Sequence, residues 1–209
     1  MSIISDNILH TGTSIGSDTA FYERALSLNE HIRLYSFDGY KHTRILDNTC
    51  NKSTLITLNN EETHEETEFI KKAMIHLNRS RPIPRPRPTN LYELSLLKRD
   101  YNIIKDVNSL YLVGSFKENL DRLDRLGLNS PVAEMFVDKI LKDNENINKP
   151  IFLPLYFYDQ SWNQWFHLMY NKNVFKFIES YNIPKTYGHY AGLGPTEITD
   201  KAKNAIANL

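Results

Sequence analysis

Residues 10–21 read HTGTSIGSDTAF: a short apolar lead-in passes through two glycines and several small polar residues directly into a segment of helical period. That order, strand then glycine loop then helix, allows few architectures. The strand spans about 6–11, and the helix 19–28 places Phe21, Ala25 and Leu28 on one face. HIRLYSF, residues 31–37, is rich in β-formers and follows after a minimal connection, which is the spacing of a βαβ unit with parallel strands. The other end of the chain repeats the pattern. In YAGLGPTEITDKAKNAIANL a strand runs into a glycine loop and then a helix, with Thr199 as N-cap and Ala202, Ile206 and Leu209 facing inward. The expected fold is therefore α/β, a doubly wound and mainly parallel sheet in a single domain spanning 1–209.

The middle of the chain keeps the same rhythm. Residues 38–59 offer one strand at STLITL, and 60–80 form a helix that is acidic at its start and basic at its end, as the helix dipole favours. RPIPRPRP, residues 81–88, has prolines at alternate positions, which forbid helix and sheet ladder alike, so 79–89 is expected to be a stiff loop. Its prolines are never three apart, so the PxxP docking spacing is absent. Its arginines, with Arg79, could form a cationic rim over a phosphate-bearing ligand. Next, NLYELSLLKRDYNIIKDV carries a helical stripe at Leu91, Leu94, Leu97, Tyr101 and Ile104, and VNSLYLVGSF reads as a buried strand ending at Gly114. SPVAEMFVDKILKD is a helix opened by Ser130 as N-cap with Pro131 at its first position, and it leads into the strand KPIFLPLYFYD. Residues 156–187 are aromatic-rich and less regular. No internal repeat of fixed period is visible.

Composition removes several functions. Twenty-five basic residues balance twenty-five acidic ones, so no global positive field favours nucleic acid. The one cysteine, Cys50, can form no internal disulfide, which fits a reducing, cytoplasmic setting. Neither a membrane span nor a signal peptide is indicated. His10, His42, His64, His76, His167 and His189 show no metal-ligand spacing with Cys50, so neither a metal nor another cofactor is expected.

In a parallel α/β sheet, loops leaving the carboxyl ends of strands gather along one edge, where helix N-termini favour anions. Gly12 and Gly16 would let backbone approach a phosphate, while Thr13, Ser14 and Ser17 supply hydroxyls. Asp18 either caps the following helix or accepts from a ribose hydroxyl. Gly114 and Ser115 after one strand, Ser130 at the next helix, and Gly192, Gly194 and Thr196 at the last loop complete the expected ligand-binding set. The two terminal loops form one site only if their strands are neighbours and the last helix packs beside the helix from 19. On that reading Gly194→Val spares the fold and removes ligand-induced stabilisation.

GTSIGSDTAFYERAL resembles the SGGAxGADxAFE segment of the SLOG superfamily, a Rossmann-like group that includes Lonely-guy phosphoribohydrolases, the DNA-processing protein A family and small phage proteins. Gly12, Gly16, Asp18, Phe21 and Glu23 match it. LLKRDYNIIKDVNSLYLVGSF is similar to the segment in which an arginine-bearing helix precedes an SDAFIALPGG strand, aligning Arg99, Asn108 and Gly114. NSPVAEMFVDKIL resembles the GGTGTxxE stretch and places Glu134 on the family's glutamate. Here Asn129, Ser130 and Pro131 replace the family's glycines, and 117–128 looks inserted. YAGLGPTEIT is similar to the TGIGSRxTP element that normally opens such chains, so this one looks circularly permuted.

The resemblance implies a binder of a nucleotide-derived small molecule of ADP-ribose or cyclic-nucleotide type. By analogy alone it suggests a phage protein that sequesters a host immune signal. The alternative is cleavage of an N-glycosidic bond, with Glu134 acting as acid, base or nucleophile and Arg99 clamping phosphate. Single-stranded DNA binding through 79–87 is a disfavoured third. Homo-oligomerisation is expected, since the family implies dimers and 156–170 offers an apolar surface. Trp162, Trp165, Tyr187 and Tyr190 are either base-stacking or core residues.

Overall fold

Strand β1 (Ile8–Thr11) pairs in parallel with β2 (His31–Phe37) on one side and with β8 (His189–Leu193) on the other. First and last strands are thus neighbours in the middle of the sheet. The computed structural model describes residues 6–37, 51–59, 61–78, 84–88, 90–116, 131–143, 149–172 and 174–209. Among these, one eight-stranded sheet runs in the order β3-β2-β1-β8-β4-β5-β6-β7, where β3 is Ser53–Leu58, β4 Ser109–Gly114, β5 Ile151–Asp159, β6 Gln164–Asn171 and β7 Val174–Glu179. The pairings from β3 through β5 are parallel, and β5-β6-β7 is antiparallel. This is a Rossmann-like α/β fold in a single domain.

Alternation along the strands sets the two layers. Leu9, Leu34, Tyr111, Val113 and Tyr190 face helices α1 (Ser17–Ser27) and α5 (Asp200–Ala207), where Phe21, Ala25, Ala202 and Ile206 are fully buried. Leu110, Leu112, Leu155, Phe157 and Ala191 face the opposite layer of α2 (His64–Asn78), α3 (Leu91–Ile104) and α4 (Pro131–Lys142). Helix α5 packs against α1, as the two-loop arrangement requires. Caps fall where side chains supply acceptors: Asn90 accepts from Glu93 N–H, and Thr199 accepts from Ala202 N–H.

Several expectations change. Leu28 and Leu91 lie at helix ends and stay exposed, 49% and 77%, because the apolar stripe overruns the sheet there. The irregular aromatic segment is a β-hairpin, β6 and β7, turning at Lys172, whose φ is 46°. Pro154 interrupts the β5-β6 ladder, and the register shifts between Phe152 and Tyr156 because proline has no N–H to give. The expected self-association surface is divided. Trp165, Phe166 and Leu168 are core, while Trp162 remains exposed. Tyr190 is wholly buried. Its hydroxyl donates to Glu30 Oε2 at 2.5 Å and accepts from Arg24 Nη1 at 2.8 Å, beside an Arg24–Glu30 ion pair of 3.1 Å. Arg24 Nη2 also donates to the carbonyl of Leu209, which ties α1 to the segment after α5. No helix among the described residues is long and apolar enough to cross a membrane. Ser130, Cys50, His42, Arg79 and Arg81 lie outside the described residues, as does the segment 117–128.

Candidate functional site

The chain leaves β1 toward β2 on one side of the sheet and later enters β4 on the other, so the strand order reverses around β8. In open α/β sheets the crevice beyond the carboxyl ends of the strands at such a reversal is where ligands bind. The exits of β1, β4 and β8 meet there. A cavity of about 280 Å³ opens beside them, walled by Leu112, Val113, Val132, Phe157 and Leu193, with Arg99, Asp100, Gly114, Ser115, Gly194 and Pro195 at its polar side. Val132 comes from the first turn of α4, which brings the positive end of that helix dipole against the cavity.

Arg99, only 8% exposed, joins the cavity to the β1 loop. Its Nη1 donates to Ser14 Oγ at 3.2 Å and lies 3.7 Å from Asp18 Oδ2. Its other edge, Nε and Nη2, reaches Asp100 Oδ1 at 3.3 and 3.1 Å. Asp18 in turn accepts from the Ser14 N–H at 3.1 Å. Burial pushes the Asp18 carboxyl up to about 6, against the opposing pull of Arg99 and the Ser14 hydrogen bond. Two carboxylates therefore share one guanidinium.

The expected residues divide into three groups. Arg99, Gly114, Ser115 and Gly194 line the cavity. Gly12, Ser14 and Asp18 sit behind Arg99; a Cβ on Gly12 would strike Asp18 and lie 2.8 Å from Arg99 Nη1, so this glycine makes room for the ion cluster. Gly16, Gly192, Thr13, Ser17 and Thr196 are spent on contacts within the protein. Gly16, at φ 85°, lies under the Thr196 carbonyl with no space for a Cβ, and Gly192 lies on the Phe21 ring. Thr13 Oγ1 turns to Ser36 Oγ at 3.4 Å, and Ser17 spends both N–H and hydroxyl on the Pro195 carbonyl, each at 3.1 Å. The first turn of α1 is thereby partly closed by protein groups. Gly194→Val would not spare the fold either, because a Cβ there strikes Ser17 Oγ and comes within 3.0 Å of Val113 Cβ.

Glu134 is half-buried in α4 and does not line the cavity, although Val132 does. The described part of the Pro/Arg loop lies elsewhere, with Pro86, Arg87 and Pro88 beside Ile70, Leu91 and Leu94. No protein-family model, no curated protein and no solved structure matches the chain. What the site can do rests on its own chemistry.

Two contributors escaped the sequence reading. Asp100 sits next to Arg99 in the chain, and neighbours on a helix do not normally face each other, so only the curl of the long arginine side chain reveals the pair. Asp159 is fully buried and accepts from the N–H groups of Phe116, Ser161 and Trp162, fixing the β4 exit to the β5-β6 turn. Its position at the end of a strand was the available signal. Below the site, His10 is a satisfied core residue, with Nδ1 3.1 Å from the Tyr35 hydroxyl and Nε2 3.0 Å from His189 Nδ1. Burial, with Arg33 and His189 nearby, holds its pKa down to about 4. No cluster of described His, Cys, Asp and Glu residues could hold a metal ion.

Proposed function

We propose that the chain binds a nucleotide-derived small molecule of ADP-ribose or cyclic-nucleotide type, with its phosphate end in the cavity beyond β4 and β8. The observation that carries this reading is the convergence of the β4 and β8 exits on one cavity at the reversal of strand order, with a buried guanidinium in its wall that the β1 loop backs. The N-terminal end of α4 supplies positive potential, Arg99 a guanidinium edge that Asp100 holds, Ser115 a hydroxyl, and Phe157 with Leu112 an apolar wall. At about 280 Å³ the cavity is at the low end of ligand pockets, which run from ~300 to 1,000 Å³, so it receives one part of such a ligand.

Binding without turnover is favoured over N-glycosidic cleavage, because the carboxylate assigned to that chemistry, Glu134, is absent from the cavity wall. Titration calorimetry against a panel of nucleotides tests the reading, with the ligand recovered afterwards by chromatography. The expected result is saturable binding, intact ligand, and loss of binding in Val132→Trp, which fills the cavity. Failure of the whole panel to bind, or undiminished binding in a folded Val132→Trp, overturns it. Release of free base would transfer the site to the hydrolase reading.

A further inference from the structure

The charge arrangement around Arg99 narrows the ligand class, an inference that rests on the binding reading above. Arg99 is the meeting point of Asp18 and Asp100, so the cluster carries two negative charges and one positive when both acids are ionised. Arg99 is not an open anion clamp. Its Nη1 edge is turned to Ser14 and Asp18 behind the cavity wall, and its Nε–Nη2 edge is held by Asp100, which itself lines the cavity. Among the described residues Asp100 is the partner of Arg99 that lines the cavity, so the edge it occupies is where an incoming anion would meet the guanidinium.

We propose that the cavity takes a singly charged phosphodiester group, which replaces Asp100 on Arg99, and that the same cluster turns away a doubly charged terminal phosphate. Charge balance supports this. With one proton taken up by the carboxylate pair, a cluster of one guanidinium, one carboxylate and one monoanion keeps the net charge of −1 it had when empty. A dianion would leave −2 in a buried site next to the displaced Asp100, where low dielectric makes each uncompensated charge expensive. Asp18, whose carboxyl burial has already raised toward neutrality, is the natural proton acceptor.

Among the described residues few other charges act on Asp18. The groups acting on Asp18 are Arg99 and Asp100 of α3, with Ser14 as hydrogen-bond donor. The neighbouring exits, 114–116 and 193–196, carry no titratable side chain; the buried Asp159 holds the Phe116 N–H, Glu197 follows the last exit, and Lys117 and Glu118, which follow the first in sequence, lie outside the described residues.

Paired probes isolate the phosphate charge: the 3′,5′-cyclic monophosphate and the 5′-monophosphate of adenosine, guanosine, cytidine and uridine, titrated into the full chain at pH 6 and pH 8. The monoester loses its second proton near pH ~6, so the two forms differ in charge mainly at the higher pH. For the base that binds, the cyclic and open forms are expected to be comparable at pH 6, with the cyclic form tighter by tenfold or more at pH 8. Calorimetry in two buffers of different ionisation enthalpy should show uptake of close to one proton per cyclic nucleotide at pH 7. Cyclic-nucleotide affinity then falls by about tenfold per pH unit above 6. In Asp18→Asn that pH dependence disappears, and in Asp100→Asn the monophosphate gains at pH 8.

If monophosphates bind as tightly as cyclic forms at pH 8 without proton uptake, the charge selection is wrong while the binding reading stands. If no member of either series binds at either pH, the phosphodiester proposal falls, and if ADP-ribose also fails to bind, the binding reading falls with it.

Discussion

Asp18→Asn should stabilise the unliganded protein at alkaline pH, although it removes one arm of a buried ion pair. The carboxyl rests at about 6 in the fold against an ordinary 3.8, so the folded chain holds its proton more tightly than the unfolded one. Above pH 6 both states are ionised and the fold carries the full cost of the buried charge; as pH falls from 6 toward 3.8 that cost is relieved. At ~1.36 kcal/mol per pH unit the gap corresponds to roughly 3 kcal/mol, an upper figure for what a neutral isostere recovers. Asn keeps an oxygen for the Ser14 N–H and leaves Arg99 with Asp100. Urea denaturation of the variant at pH 8 should therefore show a gain of up to about 3 kcal/mol, with Tm higher by several degrees for a chain of this size. Near pH 4.5 the gain should have shrunk to about 1 kcal/mol. Equal effects at both pH values, or a loss at pH 8, would refute the claim that this carboxylate is held at a cost to stability. A confirmed gain would mark Asp18 as a residue retained for function against stability.

Three further outcomes follow from other parts of the fold. His10 has its pKa depressed from 6.5 to about 4, so its contribution is complete above 6.5 and is lost as pH falls toward 4; His10→Gln should flatten the acid limb of a stability-versus-pH curve, most visibly in the Asp18→Asn background, where the opposing relief is absent. Gly192→Ala places a methyl group into the Phe21 ring beneath α1 and should cost about 1–3 kcal/mol in chemical denaturation, so a silent substitution would mean that α1 can lift off the sheet freely. Glu30→Ala strands Arg24 and the Tyr190 hydroxyl in the core and is expected to cost about 3–5 kcal/mol, whereas a loss under 1 kcal/mol would show that Arg24 finds another partner.

The elements that the sequence revealed are those in which local chemistry and topology agree. A glycine loop after an apolar strand has one common use in α/β proteins, and β1 and β8 end in such loops side by side. What the loops are for was less legible, because a glycine needed for ligand approach and one needed for packing look alike in sequence. Only the position of Phe21 under Gly192, or of the Thr196 carbonyl over Gly16, separates them. The β6-β7 hairpin was hidden for a related reason. Its turn uses Lys172 at positive φ between asparagines rather than a glycine, and its strands carry aromatics on both faces.

Polar residues misled in the opposite direction. Asp18 was read as a cap or a ribose acceptor because its place in the first turn of α1 invites both roles, yet its carboxylate folds back to Ser14 and faces the guanidinium of Arg99 in α3, far along the chain. Long-range pairing of this kind leaves no local pattern. It also explains why the site is buried and charged at once: Gly12 has no side chain, so Asp18 and Arg99 can meet where a Cβ would stand, and Asp100 then completes a guanidinium that would otherwise face the cavity alone. The small side chains of the opening loop make space for a charge cluster first, and it is through that cluster that the proposed anion selection would act.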